Sequence, residues 1–176
     1  MTPEQIEQEA LDVRRRTVMK APPVPVYEIA KKLDIEVRDA VLGDDVSGLL
    51  VIEKGIPVIG VNSRHNKRRK RFTVAHEIGH YVLHLGVSDL FIDEGDFLAI
   101  YRRDDTRSRD NKRERDANTF AGALLMPKDL LYKELETARL DLFEDRDWKS
   151  LAERFDVSQQ ALMIRLTKLG YFGPAY

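Results

Sequence analysis

The chain has 176 residues, 43% hydrophobic and 34% charged, enough apolar content for a packed core beneath a charge-rich surface. Lys and Arg number 29 against 30 Asp and Glu, so a net charge of -1 excludes any global pull toward nucleic acid or anionic membrane. The absence of cysteine excludes disulfides, thiolate metal sites and cysteine nucleophiles. A cytoplasmic location fits this composition. Residues 1–16 lack the apolar core of a signal peptide, and no window approaches the ~20 apolar residues of a membrane span.

Thr2-Pro3-Glu4-Gln5 predicts a helix start, with a Thr cap, Pro at the first helical position and acid in the first turn. Prolines 22, 23 and 25 break the chain before a short helix over 26–33. Residues 35–38, 47–53 and 56–62 read as strands, with Lys54-Gly55 as a hairpin turn. Pro57 makes the third of these a candidate edge strand. Residues 72–85 have helical periodicity, with Gly86 as a cap. Residues 90–103 read as a further hairpin and 104–112 as a charged loop. Helices follow over 111–125, 128–138, 147–155 and 158–169. The expected fold is α+β: a mostly helical zincin-like domain over 1–140 with a small three-stranded, antiparallel-containing sheet. A C-terminal, helix-turn-helix-like segment over 141–176 packs on it.

The helix over 72–85 carries His76-Glu77-Ile78-Gly79-His80, an H-E-x-x-H pattern. Residues four apart lie about 40° around a helix axis. Both imidazoles can therefore reach one zinc at about 2.0–2.1 Å. Glu77, on the adjoining arc, is the general-base candidate. Val74, Ala75, Ile78, Val82 and Leu85 form the opposite face, which predicts a buried apolar side and a catalytic side facing a cleft. Gly79 costs about 1 kcal/mol of helix propensity, which suggests close approach of another element.

A catalytic zinc needs a third protein ligand and an open position. Position 86 is Gly86, not the third His of a metzincin, so the ligand must come from another helix. Glu114 and Asp116 compete. Glu114 shares a small, apolar face with Ala117, Asn118, Ala121 and Leu125, whereas Asp116 lies on the polar side with Lys112 and Arg115. Glu114 is therefore preferred. Asn118 is a candidate to hydrogen-bond a ligand. His84, one turn past His80, would close the site as a fourth ligand and is read as structural or substrate-facing. His65 reads as a surface residue.

Residues 64–71 (RHNKRRKR) are either a docking patch for an acidic partner or a solvated loop and helix start. Residues 148–170 resemble a helix-turn-helix with Ser158 capping the second helix. That helix offers chiefly Arg165 and Lys168 to phosphates, so DNA binding is possible but not favoured.

Residues 71–84 (RFTVAHEIGHYVLH) and the pattern E-x-x-A-N-x-F-A-x-x-L-L-M-P over 114–127 together resemble the ImmA/IrrE family of bacterial and phage zinc metallopeptidases. The resemblance implies one zinc per chain held by His76, His80 and Glu114, with Glu77 as base. It also implies a protein substrate, a helix-turn-helix repressor whose cleavage derepresses phage, mobile-element or stress genes. The competing expectations are a non-proteolytic DNA- or protein-binding regulator on the same fold, and the toxin of a toxin–antitoxin pair.

Overall fold

The computed structural model describes residues 1–17, 19, 21–84, 90–94, 109–138 and 145–172. The elements run α1 (Pro3–Arg14), α2 (Val26–Lys32), β1 (Glu36–Ala40), β2 (Val46–Glu53), β3 (Ile56–Asn62), α3 (Lys67–His84) and β4 (Leu90–Glu94). Helices α4 (Arg109–Leu125), α5 (Lys128–Ala138), α6 (Asp145–Phe155) and α7 (Gln159–Lys168) complete the α+β fold. The cap predicted for Gly86, the rest of the 90–103 hairpin and residues 104–108 of the predicted loop lie outside the described residues, whereas 109–112, expected as the end of that loop, form the first turn of α4. Among the described residues no helix is long and apolar enough to cross a membrane.

Helix α1 begins as its sequence dictates. Thr2 Oγ1 accepts from the Gln5 backbone N–H, and Gln5 Oε1 accepts from the Thr2 N–H, a reciprocal capping box. In the β2–β3 hairpin, Lys54 (φ 52°) and Gly55 (φ 84°) both take the left-handed backbone of a type I′ turn. The first three strands form a mixed sheet, and β4 adds a fourth beyond α3, giving the order β1-β3-β2-β4.

This order corrects the reading of Pro57. Strand β3 is interior, parallel to β1 and antiparallel to β2. Pro57 is tolerated because β1 begins opposite Val58, one residue further on. Glu53 and Ile56 flank the two-residue turn as the hydrogen-bonded pair, so the Ile52–Pro57 pair makes no ladder bonds. The nitrogen of Pro57 points to the side where β1 has not yet started, and its missing N–H leaves no bond unmade.

Helix α3 starts inside the basic run, and that run is bound into the protein. Lys67, Arg68 and Arg71 all pair with Asp156, at 2.8, 3.7 and 3.4 Å. Lys70 pairs with Asp39, Arg64 with Asp44, and Arg69 donates to Ser47 Oγ. Arg71 is buried and also donates to the carbonyl oxygens of Val24 and Asp156. All six cations therefore have partners in the fold, although the Lys67 and Arg64 side chains stay 79% and 61% exposed. These partners offset a charge that would otherwise be poorly placed at a helix N-terminus.

The α6–α7 pair has the expected helix-turn-helix form, with Ser158 Oγ accepting from the Ala161 N–H. Leu151, Phe155, Leu162 and Leu166 join Ile6, Ile29, Phe72 and Leu131 in one hydrophobic cluster. Arg165, expected as a phosphate contact, is 1% exposed; it donates to the Met126 carbonyl and pairs with the Glu7 carboxylate.

Asp156 also takes a left-handed backbone, φ 52°, which Asn tolerates. Burial alone would raise its pKa, but the Lys67 hydrogen bond and the Arg71, Lys67 and Arg68 charges hold it below the usual carboxylate range. Its stabilising effect is therefore present above the unfolded pKa of about 4 and is lost as pH falls through the lower folded value. Asp156→Asn is expected to cost about 1–2 kcal/mol at neutral pH. Urea unfolding across pH should show that deficit shrinking below about pH 4; a pH-independent deficit would contradict the ion-pair account.

Candidate metal centre

The centre lies where α3 crosses α4. Gly79 is what lets the helices meet. A Cβ built there would stand 3.1 Å from Phe120 Cδ1 and 3.2 Å from both the Cα and the carbonyl oxygen of Ala117. The close approach expected from the glycine is thus the backbone of α4. It also alters the expected burial. Among the described residues α3 is buried continuously from Arg71 to His80, the H-E-x-x-H arc included, with α4 packed against it.

His76 and Glu77 are 0% and His80 is 1% exposed, and the Glu114 side chain is 24% exposed, so solvent reaches the group from the Glu114 side. His76 Nε2 and His80 Nε2 stand 2.9 Å apart. Glu114 Oε2 is 3.2 Å from the first and Oε1 is 3.2 Å from the second. His76 Nδ1–H donates to Asn118 Oδ1 at 3.0 Å, which turns the Nε2 lone pair toward His80 and Glu114. Burial lowers the His80 pKa to about 4, which favours the neutral ring. Burial acts to raise the Glu114 pKa, but its place beside the two histidines outweighs that and holds it below the usual carboxylate range.

Two imidazoles and one carboxylate with converging ligand atoms are the donor set a divalent transition metal takes. Ligands about 2.0–2.1 Å from a tetrahedral metal are about 3.3 Å from one another, close to the separations here. The residues therefore fit a metal ion: His76, His80 and Glu114 are a group that could hold one.

The other candidates fall elsewhere. Asp116 bonds Lys112 at 3.0 Å and faces the Met1 amino group at 3.7 Å, away from the group. His84 is buried, with Nε2 3.3 Å from the Arg113 carbonyl oxygen, and neither it nor His65 belongs to the cluster. Sequence reasoning overlooked Gly48 of β2. A Cβ there would lie 2.3 Å from Thr73 Cγ2, 3.1 Å from the Gly60 carbonyl oxygen and 3.3 Å from Glu77 Oε1. The backbone of β2, irregular between Val46 and Gly48, thus forms the wall beside the Glu77 carboxylate. The available signal was a glycine within an otherwise β-rich run, which marks close backbone approach.

The Peptidase_M78 family model, described as the IrrE N-terminal-like domain, matches residues 30–167. Uncharacterized immunity region protein 2 of Bacillus phage phi105 is 31% identical over 101 residues, 57% of this chain and 58% of that protein. The radiation response metalloprotease IrrE of Deinococcus radiodurans is 35% identical over 111 residues, 63% of this chain and 31% of that protein. The chain thus matches little more than half of one relative and under a third of the other. A solved Mycobacterium tuberculosis transcriptional regulator shares the fold, with a TM-score of 0.63 at 20% identity over 93% of this chain and 46% of that one.

The helix crossing yields a direct test. Gly79→Ala gains about 1 kcal/mol of helix propensity. Its Cβ must displace the backbone of α4, and overpacking of that kind costs about 1–3 kcal/mol. Urea unfolding should show a net loss of stability. A variant more stable than wild type would mean that the helices can separate freely.

Proposed function

The chain belongs to the Peptidase_M78 family, the IrrE N-terminal-like domains, and from that premise we propose that it is a zinc-dependent endopeptidase with a regulatory role. The proposed substrate is a helix-turn-helix transcriptional repressor, met in the cytoplasm, whose cleavage releases the genes it silences. The observation that carries the enzymatic reading is the convergence of His76 Nε2, His80 Nε2 and the Glu114 carboxylate, with Glu77 buried on the same helix. A binding module would gain nothing from enclosing the Glu77 carboxylate beside such a group, because a buried carboxylate is costly. The regulatory reading is supported by the phage immunity region protein and the radiation response metalloprotease among the relatives.

His76, His80 and Glu114 would hold the zinc, one per chain. A bound zinc supplies Lewis-acid polarisation of a carbonyl and acidifies water. Glu77 acts as general base: it accepts a proton from the attacking water and delivers it to the leaving amine. Asn118 accepts from His76 Nδ1–H and thereby fixes the ring and its tautomer. Because β3 is interior, its edge is not available to a substrate strand. Among the described residues the outer strand on the Glu77 side is β4, which pairs with β2 and puts Asp93 opposite Gly48. A peptide adding to β4 would be held by backbone hydrogen bonds.

The α6–α7 pair supports a second reading, a regulator that binds DNA through α7. The engagement of Arg165 with Glu7 and Met126 weighs against it. A salt-dependent DNA gel shift unaffected by Glu77→Gln would favour it.

Glu77→Gln is expected to retain zinc, measured by elemental mass spectrometry, and to lose about 10²–10⁴-fold in kcat on a cleavable repressor. Undiminished turnover would remove Glu77 from the base role. Asn118→Ala is expected to weaken zinc about 10–100-fold in a chelator competition, through loss of the His76 anchor; unchanged affinity would make Asn118 merely a packed polar residue.

A further inference from the structure

We infer that His84 is a positioning residue for the metal group: its imidazole ties the last turn of α3 to the α4 turn that bears Glu114 and so holds that carboxylate over His76 and His80. This rests on the reading above in which Glu114 is a ligand.

His76, His80 and His84 form one stripe along α3, four residues apart, and each reaches α4 at a different level. His76 Nδ1 meets Asn118 Oδ1, and His80 Nε2 meets Glu114 Oε1. His84 Nε2 lies 3.3 Å from the carbonyl oxygen of Arg113, the residue before Glu114. A carbonyl only accepts, so Nε2 carries the proton and donates it. That nitrogen is committed to backbone and unavailable as a ligand.

Position gives this bond its leverage. The tight helix contact lies at Gly79 and Ala117, one turn C-terminal to Glu114. Arg113 lies on the other side of Glu114. Glu114 is thus held between the Gly79 contact and the His84 hydrogen bond. The His84 ring also packs against His80, with centroids 5.6 Å apart, so it backs one proposed ligand while anchoring the neighbour of another. It is 8% exposed, and solvent competes weakly for the Arg113 carbonyl.

The test is zinc affinity of the full chain by competition with a chromophoric chelator, with circular dichroism to verify the fold. His84→Leu, which removes the donor, is expected to weaken zinc by about tenfold or more. His84→Gln, whose amide N–H can reach the Arg113 carbonyl, should recover most of the loss. In a Glu114→Ala background His84→Leu should add nothing, because its effect passes through Glu114. Should His84→Leu not fold, His84→Asn, polar but too short to reach, replaces it with the same expectation. Wild-type affinity in the variant that removes the bond would overturn the inference, as would an undiminished loss in the Glu114→Ala background. If Glu114→Ala itself binds zinc like wild type, the ligand reading fails instead.

Discussion

The structure depends on the close contact of α3 with α4 at Gly79. A side chain there would collide with the backbone of Ala117 within 3.2 Å. Without one, the two helices approach closely enough for a carboxylate on α4 to meet two imidazoles on α3. The same contact helps to bury the H-E-x-x-H arc. Burial drives the His80 ring to its neutral form, while its place beside the two histidines holds the Glu114 pKa below the usual carboxylate range. Close packing therefore creates the geometry and sets the protonation states at once. A cluster of converging lone pairs, costly when buried alone, becomes favourable once a cation occupies its centre.

The sheet forms the other side. Gly48 brings the β2 backbone against Thr73 and Glu77, and the β2 irregularity next to it turns the strand there. Glycines on opposite sides of one helix thus perform related tasks: Gly79 admits the element carrying Glu114, and Gly48 admits the strand beside Glu77. Beyond β2 stands β4, the outermost strand on that side among the described residues. The proposed metal ligands thus come from the helix pair, whereas the surface suited to an extended chain comes from the sheet.

What the sequence revealed was local. The Thr2 cap, the Lys54-Gly55 turn, the Ser158 cap and the i, i+4 histidines each depend on a few neighbouring residues, and each is found in the structure. Helical periodicity also separated Glu114 from Asp116, which turns instead toward Lys112 and the chain's first residue. What could not be read depends on distant partners. Pro57 suggested an edge because β1 passes it one residue short, a matter of parallel register. The basic run looked free because Asp156, the partner of three of its cations, lies 85 residues beyond Arg71. The burial of the H-E-x-x-H arc could not be read because amphipathicity within one helix does not disclose a second helix packed against it.

The central claim is that His76, His80 and Glu114 hold one zinc ion and leave a position open for reaction. Zinc-edge X-ray absorption on the purified, zinc-loaded protein tests it most directly. The account predicts about four nitrogen and oxygen neighbours at about 2.0–2.1 Å, with multiple scattering from two imidazoles and one neighbour that exchanges with added inhibitor. A zinc shell with no imidazole scattering, a third imidazole in place of the exchangeable neighbour, or no retained zinc would contradict it.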